Sequence, residues 1–243
     1  MTASENTLAS GKFFRFWSAA NEPRAVVLIS HGLGEHSGRY EHVAAALTAD
    51  NLHVYALDHI GHGKSPGKPA YIDRFSDLTS GVSELRDHIR RHHAGLPVIL
   101  IGHSMGGLIA IRLALGAHAD YAGLILTGPL LGLPDTPSRL QVMLLRVLSV
   151  LAPTIKATEI DASAVSRDPA VVTDYIADPL VHHDNIPARM VVSLFDETAQ
   201  VMNEASSLQL PVLLLHGAED KLTSVTASEA FFEKLGSTDK KIT

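Results

Sequence analysis

A serine between two glycines is the part of this sequence that most directly suggests chemistry. The segment Gly102–Gly106 is Gly-His-Ser-Met-Gly, which fits the pattern G-x-S-x-G. An apolar, β-branched run precedes it and a helix-forming run follows it, so Ser104 is predicted to occupy a tight strand-to-helix turn. Such a turn presents the hydroxyl outward above the N–H groups of the new helix. We predict that Ser104 is a catalytic nucleophile rather than a surface serine.

A carboxylate later in the chain is the candidate partner of this serine. The apolar run Val212–Leu215 predicts a strand, and Glu219 and Asp220 follow its end. A carboxylate at a strand end can orient a catalytic histidine, and an acid after the serine in chain order suits a nucleophile of this type. We predict Asp220 as the acid and Glu219 as its competitor. The alternative is an aspartate that caps the helix beginning near Thr223.

The glycine-rich segment His31–Gly38 follows the predicted strand Ala25–Ser30. It does not fit the dinucleotide fingerprint, because the third glycine of that pattern would stand at 37, where this chain has serine. In a serine hydrolase, such a loop turns a main-chain N–H towards the oxyanion. We therefore predict an oxyanion hole formed by the N–H groups of Leu33 and Met105.

Two other segments contain residues of known motifs but lack the full patterns. Asp58–Ser65 ends in Gly-Lys-Ser, yet a phosphate loop needs glycine where this chain has Asp58, so we interpret the segment as a structural turn. His182–Asp184 contains metal-binding residue types without a second cluster nearby in the sequence, and we interpret it as a surface group of the cap described below. The sequence indicates no metal and no cofactor.

The histidine that would activate Ser104 is missing from its expected position. A triad of this chain order places histidine after the acid, but all fourteen histidines precede Asp220. We therefore expect the catalytic histidine beyond Thr243. No histidine among residues 1–243 is expected to bridge Ser104 and Asp220.

Short apolar runs and helical stripes alternate along the chain and must position these groups. The predicted strands are Lys12–Trp17, Ala25–Ser30, His53–Asp58, Val98–Gly102, Gly123–Thr127 and Val212–His216. The alternation predicts an α/β fold with a mostly parallel central sheet flanked by helices. We also expect the first two runs to pair as an antiparallel hairpin.

The alternation stops after Pro129, where helical patterns follow one another without a convincing strand. We predict a helical cap over 130–207, inserted into a core formed by 1–129 and 208–243. Within the cap, Arg139–Leu151 is apolar on both faces. Two interpretations stay open: a helix packed inside the cap, or an exposed lid edge that contacts lipid.

The overall composition excludes several classes of protein. A hydrophobic content of 46% is ample for a core, and a net charge of -6 gives no basic surface for nucleic acid. Cysteine is absent, which excludes disulfides and thiolate chemistry. No signal-peptide pattern and no apolar stretch of about 18 residues occurs, so we expect a cytoplasmic protein, with peripheral membrane contact through the cap as an option. The sequence does not indicate an oligomeric state.

Three longer motifs point to a family. They are His31–Tyr40, Gly102–Gly107 and His216–Lys221, supported by Ser166-Arg167 and Tyr175–Leu180. At these motifs, and almost from end to end, the chain resembles the monoacylglycerol lipases of the serine α/β-hydrolases. The resemblance implies an α/β-hydrolase fold with Ser104 as nucleophile, Asp220 as acid, and the N–H groups of Leu33 and Met105 as oxyanion hole. It also implies a cap that shapes an acyl tunnel, with Glu35 and Arg39 at the polar end where glycerol would sit.

The activity that the resemblance implies is cleavage of monoacylglycerol, or a similar lipid ester, into fatty acid and glycerol through an acyl-enzyme. Family members continue from a segment like Asp239–Thr243 into a histidine-bearing loop and a final helix, so the resemblance also implies that the C-terminal strand and helix are truncated here. The alternatives are a lysophospholipase or short-chain carboxylesterase using the same site. A non-catalytic lipid-binding relic is the third possibility if the histidine is absent.

Overall fold

A twisted sheet supports the predicted site. The computed structural model describes residues 3–116, 120–135 and 137–243. The main-sheet strands among these residues are β1 (Ser4–Thr7), β2 (Phe13–Trp17), β3 (Ala25–Ser30), β4 (Leu52–Leu57), β5 (Val98–His103), β6 (Gly123–Thr127), β9 (Val212–Leu215) and β10 (Lys240–Ile242). Their spatial order is β1-β2-β4-β3-β5-β6-β9-β10, and every pair from β4 to β10 is parallel. The predicted mostly parallel α/β sheet is confirmed.

The expected hairpin between the first two predicted strands is wrong. β2 pairs antiparallel with β1 and β4, whereas β3 pairs parallel with β4 and β5. β4 is buried at all six positions. β4 therefore lies between β2 and β3, and the first two predicted strands are not neighbours in the sheet.

Helices cover the sheet and bury their apolar stripes against it. The helices outside the cap are α1 (Glu41–Ala49), α2 (Ser76–His92), α3 (Met105–Gly116) and α7 (Val225–Lys234). Residues of α2 and α3 pack with Val26 and Leu28 of β3, while Ala44 of α1 packs with Val27 and Ile29. Because successive strand residues point to opposite faces, these helices lie on the two sides of the sheet.

The segment between β6 and β9 is the one for which the sequence predicts an inserted cap, and we keep that name for it. Its described elements are α4 (Arg139–Leu151), β7 (Lys156–Thr158), α5 (Pro169–Ala177), β8 (Ile186–Pro187) and α6 (Ala188–Glu204). The expectation that the cap lacks strands is wrong, because β7 and β8 form a short antiparallel pair. That pair has only five residues, too few for a recognisable apolar alternation.

The apolar helix α4 is mostly exposed. Leu140, Leu144 and Leu151 have exposed fractions of 70%, 57% and 78%, while Ser149 is its buried residue. This favours the lid-edge interpretation over a helix packed inside the cap. No described helix is both long and apolar enough to span a bilayer.

Candidate active site

Ser104 lies at the junction of β5 and α3 in an uncommon backbone conformation. Its φ is +51°, a left-handed value that a residue with a side chain adopts only at a cost. The N–H of Ser104 donates to the Thr127 carbonyl at 3.1 Å, and the Ser104 carbonyl accepts from the N–H groups of Gly107 and Leu130 at 3.0 Å. These hydrogen bonds hold the turn that the G-x-S-x-G pattern predicted.

The two glycines of the pattern are required because the backbone passes very close to them. A Cβ at Gly106 would lie 2.0 Å from the carbonyl oxygen of Ser30 in β3. A Cβ at Gly102 would lie 2.4 Å from the carbonyl oxygen of Gly106. Both separations are far below van der Waals contact, so any side chain would push α3 away from the sheet.

Ser104 lines a pocket of about 1230 Å³ between core and cap. The predicted residues Leu33, Glu35, Arg39 and Asp220 line the same pocket. Apolar side chains form much of the remaining wall, including Leu130, Leu145, Ile186, Leu194 and Phe195. The fold therefore brings together a hydroxyl, two carboxylates and an apolar cavity.

The predicted oxyanion donors flank Ser104. Met105 is the first residue of α3, where the N–H groups of a helix lack an intrahelical acceptor. Leu33 lies on the loop after β3 and lines the pocket. Neither N–H donates to another residue in the described part of the chain. Both donors are therefore available for a ligand, as an oxyanion hole requires.

Glu35 holds the loop that follows β3 and carries Leu33. Its Oε1 accepts hydrogen bonds from the Gly32 N–H at 2.7 Å and the Tyr40 hydroxyl at 2.8 Å, and Arg39 Nε lies 3.5 Å from Oε2. Burial raises the pKa of Glu35, but the His103 and His31 rings, the Gly32 N–H and the Tyr40 hydroxyl outweigh it and hold the pKa below the usual value. A carboxylate engaged in this way fixes the loop that carries Leu33.

Asp220, rather than its competitor Glu219, has the environment of an oriented carboxylate. Oδ1 of Asp220 accepts from the N–H groups of Leu222 and Thr223 at 2.8 and 2.9 Å, and Oδ2 accepts from the Thr223 hydroxyl at 2.9 Å. Glu219 instead points outward to Arg167 of the cap, with Oε2 3.1 Å from Nη1. The capping alternative for Asp220 is also wrong, because Ser224 accepts from the Ala227 N–H and caps α7.

His103 is a pocket residue that the sequence analysis did not select. Its Nδ1 lies 2.9 Å from the Thr127 carbonyl oxygen and 3.0 Å from Thr127 Oγ1. A carbonyl can only accept, so Nδ1 carries the proton and Nε2 is left as an acceptor in the neutral ring. Adjacency to Ser104 was the one available signal, and it does not reveal where a side chain points.

No described histidine hydrogen-bonds to the Ser104 hydroxyl. The ring of His216 comes within 3.4 Å of Asp220, but its other nitrogen faces Ser228. His182 contacts the loop after β3 through its main chain, where its N–H donates to the Gly34 carbonyl at 2.7 Å. Among residues 3–116, 120–135 and 137–243, no group of three or more histidine and acidic side chains is arranged to hold a metal ion.

Comparison with known proteins gives consistent matches. Residues 21–243 match the family described as serine aminopeptidase, S33. The chain is 39% identical to a monoacylglycerol lipase of Mycolicibacterium smegmatis, over 92% of this chain and 80% of that protein. It is 35% identical to human monoglyceride lipase, over 95% of this chain and 76% of that protein. A phospholipase of Bacillus subtilis is 30% identical, over 91% of this chain and 85% of that protein.

Solved structures agree with the sequence matches. The crystal structure of Paleococcus ferrophilus monoacylglycerol lipase superposes with a TM-score of 0.84 at 34% identity, covering 100% of this chain and 88% of that one. A soluble variant of the Saccharomyces cerevisiae monoglyceride lipase, in complex with a substrate analog, gives a TM-score of 0.84 at 25% identity, covering 100% and 86%. The fold, the site geometry and these matches together place this chain in the monoacylglycerol lipase family of α/β-hydrolases.

Proposed function

We propose that this protein is a serine carboxylester hydrolase that cleaves monoacylglycerol into a fatty acid and glycerol. The observation that supports it best is that one pocket combines Ser104 on its strained turn, the Asp220 carboxylate and apolar walls. A monoacylglycerol has one ester between a long apolar chain and a small polar alcohol. Its acyl chain matches the apolar part of the pocket wall, and its glycerol matches the polar part that contains Glu35 and Arg39.

The reaction would proceed in two acyl-transfer steps. Ser104 Oγ attacks the ester carbonyl carbon while its proton passes to a histidine oriented by Asp220. The carbonyl oxygen, now negative, accepts hydrogen bonds from the N–H groups of Leu33 and Met105. Glycerol leaves with the proton, and a water molecule then hydrolyses the acyl-enzyme to release the fatty acid and free Ser104.

The two ends of the substrate would occupy different parts of the pocket. The acyl chain packs against the apolar wall that includes Leu145 and Leu194, where burial of each CH₂ contributes about 0.8 kcal/mol. The glycerol hydroxyls lie towards Glu35, Arg39 and His103, whose Nε2 accepts a hydrogen bond from a hydroxyl. A lysophospholipid or a short-chain ester would be attacked by the same nucleophile. A lysophospholipid would differ from monoacylglycerol in the group that occupies this polar end.

Comparing substrates tests the proposal. We expect kcat/KM for a long-chain 2-monoacylglycerol to exceed that for a lysophospholipid and for a short soluble ester of the same alcohol. The phospholipase relative from Bacillus subtilis makes the lysophospholipid the most informative competitor. A preference for the lysophospholipid would replace the proposed substrate and retain the serine mechanism.

A fluorophosphonate probe separates an enzyme from a lipid-binding relic. The probe should label the full-length protein and should not label the Ser104→Ala variant. Ester hydrolysis should fall about 10³-fold or more in that variant, because binding and the oxyanion hole alone leave only a residual rate. Absence of labelling in the unsubstituted protein would remove the enzyme proposal.

The identity of the base can also be tested. Because no described histidine reaches the Ser104 hydroxyl, we expect residues 1–243 expressed alone to show little Ser104-dependent turnover. Turnover at an ordinary enzyme rate would show that one of the fourteen histidines of this sequence acts as the base.

We further propose that α4 docks on a lipid surface beside the pocket. Its exposed face is a continuous apolar stripe, with Leu140, Met143, Leu144 and Val147 at helical spacing. Leu145, on the other side of the same helix, lines the pocket. A lipid bilayer or droplet covers the stripe and supplies the substrate next to the cavity, which makes a lipid surface the occupant that fits both sides of α4.

A further inference from the structure

A line of buried side chains leads from α7 to Asp220. Ser228 Oγ lies 2.8 Å from Nδ1 of His216. Nε2 of that ring lies 3.2 Å from Oγ1 of Thr223, whose hydroxyl donates to Oδ2 of Asp220 at 2.9 Å. We call Ser228, His216 and Thr223 the relay. All three are shielded from solvent, since Ser228 and Thr223 are 0% and 3% exposed and the His216 side chain is 2% exposed.

The number of protons in the relay fixes its direction. The Thr223 hydroxyl has one proton, and the nearest charged acceptor is Asp220 Oδ2. The Thr223 oxygen and the Asp220 carboxylate, 3.4 Å from Nε2, are then both acceptors towards the His216 ring. Nε2 must therefore carry a proton. In the neutral ring Nδ1 accepts, and the Ser228 hydroxyl supplies its hydrogen bond.

We propose that His216 is a positioning residue for Asp220, held by Ser228 in the form whose Nε2 carries the proton. The inference rests on the proposed function, because it explains how Asp220, the proposed acid of that site, keeps its orientation. His216 touches neither the substrate nor Ser104 in this assignment. It acts on catalysis through Thr223 and Asp220.

A competing acceptor shows why this positioning is needed. The Thr223 Oγ1 also lies 3.2 Å from the carbonyl oxygen of Gly128. Without a donor at the His216 position, nothing prevents the hydroxyl from rotating towards that carbonyl and leaving Asp220 Oδ2. With Nε2–H in place, the Thr223 lone pairs are directed at His216 and its proton at the carboxylate, because hydrogen bonds in a chain strengthen one another.

The charge of Asp220 depends on the same donors. Burial raises the pKa of the Asp220 carboxyl, while the N–H groups of Thr223 and Leu222, the Thr223 hydroxyl and the His216 ring outweigh it and hold the pKa below its usual value. Oδ1 is already occupied by main-chain N–H groups, so Oδ2 is the oxygen through which the carboxylate can orient a catalytic base. The relay therefore acts on the oxygen that matters for the reaction.

A spectroscopic measurement tests the proton position directly. Long-range ¹H–¹⁵N correlation spectra of the full-length protein distinguish Nδ1–H from Nε2–H, and the His216 signal is assigned by its loss in His216→Gln. We expect a neutral ring whose proton is on Nε2. Protons on both nitrogens would contradict the role given to Ser228, because Nδ1 could not then accept its hydrogen bond. A neutral Nδ1–H ring would overturn the proposal, because Nε2 could not then donate towards Thr223 and Asp220.

Kinetics test the consequence. His216→Gln keeps a side-chain N–H donor and should retain kcat within about threefold, whereas His216→Leu should lower kcat about tenfold with KM nearly unchanged, as expected for one lost hydrogen bond. His42→Leu, an exposed histidine of α1, is the matched control and should change neither constant. Equal kcat in His216→Leu and the unsubstituted enzyme would contradict the proposal.

A second pair of variants covers the case in which His216→Leu does not fold. Thr223→Ser keeps the hydroxyl and Thr223→Val replaces it with a methyl group of the same shape, so only Thr223→Val should lose kcat. Equal rates in the two variants would overturn the relay. If the unsubstituted protein turns over no ester, the proposed function fails, while the ring spectrum of His216 still decides the proton position.

Discussion

At the scale of single residues, the site depends on a serine in a conformation that its own side chain disfavours. The left-handed φ of Ser104 costs of the order of 1 kcal/mol or more, and the hydrogen bonds to Thr127 and Leu130 maintain it. The sharp turn places Ser104 in the wall of the pocket, with Met105 as the first residue of α3 directly after it. Strain at this position is therefore tied to the proposed chemistry.

Two substitutions at Ser104 should separate strain from chemistry. Ser104→Ala removes the hydroxyl and keeps the strain, whereas Ser104→Gly removes both because glycine tolerates a φ of +51°. We expect both variants to be inactive and the glycine variant to have the larger free energy of unfolding, by about 1 kcal/mol. Urea unfolding and ester turnover measure the two effects, and a glycine variant no more stable than the alanine variant would contradict the strain.

Sequence reasoning reached individual site residues to different extents. Ser104 could be predicted because its glycines are spaced by a strict backbone requirement. The sequence could only favour Asp220 over Glu219 as the acid. The feature that distinguishes the two is structural, because two main-chain N–H groups donate to the Asp220 carboxylate. His103 and Thr223 were not predicted as site residues, because their importance comes from contacts between segments far apart in the chain.

At the scale of elements, α4 and its exposed apolar face dominate the cap. Periodicity alone could not distinguish burial from exposure, because Arg139–Leu151 is apolar all round. The structure places Leu145 on the pocket side and Leu144 on the exposed side. Lid variants should therefore change Leu144 and leave Leu145, whose replacement would also disturb the pocket.

Removing two exposed leucines should weaken lipid binding selectively. We expect Leu140→Ser with Leu144→Ser to lower binding to phospholipid vesicles at least about tenfold, because each buried leucine contributes about 1.5–3 kcal/mol. Turnover of a short soluble ester should stay close to that of the unsubstituted protein. The matched control is Val171→Ser with Ile176→Ser, two exposed apolar residues of α5. Docking through α4 would be refuted if both double variants lost vesicle binding equally, or if turnover of the short ester fell in parallel with vesicle binding.

A cap-to-core ion pair is the second feature of this scale. Arg167 and Glu219 meet at 3.1 Å across the pocket, and their side chains are 85% and 73% exposed. Such a pair contributes at most about 1 kcal/mol to stability, and less in salt. The pair connects the cap to the core next to Asp220, so we expect it to affect substrate turnover more than the stability of the fold.

Reversing these charges should affect turnover more than stability. We expect Arg167→Glu or Glu219→Arg alone to change kcat/KM for monoacylglycerol about two- to fivefold at low salt, and the double exchange to restore it. Charge reversal at Arg146, which pairs with Asp196 inside the cap, is the control and should have little effect. Steady-state kinetics at two ionic strengths measure this effect. If the single variants have the same kcat/KM as the unsubstituted enzyme, the ion pair does not contribute to turnover.

Element order was predicted better than element pairing. The strands of the parallel sheet and the insertion after β6 follow from local patterns that alternate along the chain. The partner of β2 cannot be predicted from such local patterns, because β4 is distant in sequence and lies between β2 and β3 in the sheet. Strand β1 was missed as well, since its four residues are polar and exposed and carry no strand pattern.

At the scale of the whole molecule, three neutral histidines connect the sheet to the loop that follows β3. The ring centroids of His59 and His62 lie 4.4 and 5.4 Å from that of His31. His31 Nε2 accepts the His59 N–H at 3.0 Å, and its Nδ1 lies 2.7 Å from the Gly32 carbonyl oxygen. His31 is therefore bonded in its neutral form, and a second proton would face an N–H donor.

Burial is the main reason that these rings stay neutral. It lowers the pKa of His31 to about 3 and lowers those of His59 and His62, with neighbouring histidine rings adding to the effect at His31 and His59. Glu35 acts in the opposite direction on His31, and Asp58 and Glu35 do so on His62, but neither effect offsets burial. His36 and His182 are the other titratable groups that face this cluster.

The cluster predicts acid sensitivity of the whole fold. In the unfolded chain these histidines titrate near pH 6.5, so their contribution to stability is complete above that pH and is lost as the pH falls towards the lowered folded-state values. Each ring that stays neutral on folding should remove about 1.4 kcal/mol of unfolding free energy per pH unit in that interval. We expect His62→Asn, whose amide can replace the Nδ1 contact to the Ile60 carbonyl, to reduce the slope, by at most one proton. Urea unfolding between pH 4.5 and 8 measures the slope, with exposed His42→Asn as control, and an unchanged slope in His62→Asn would show that this ring is not excluded from protons by folding.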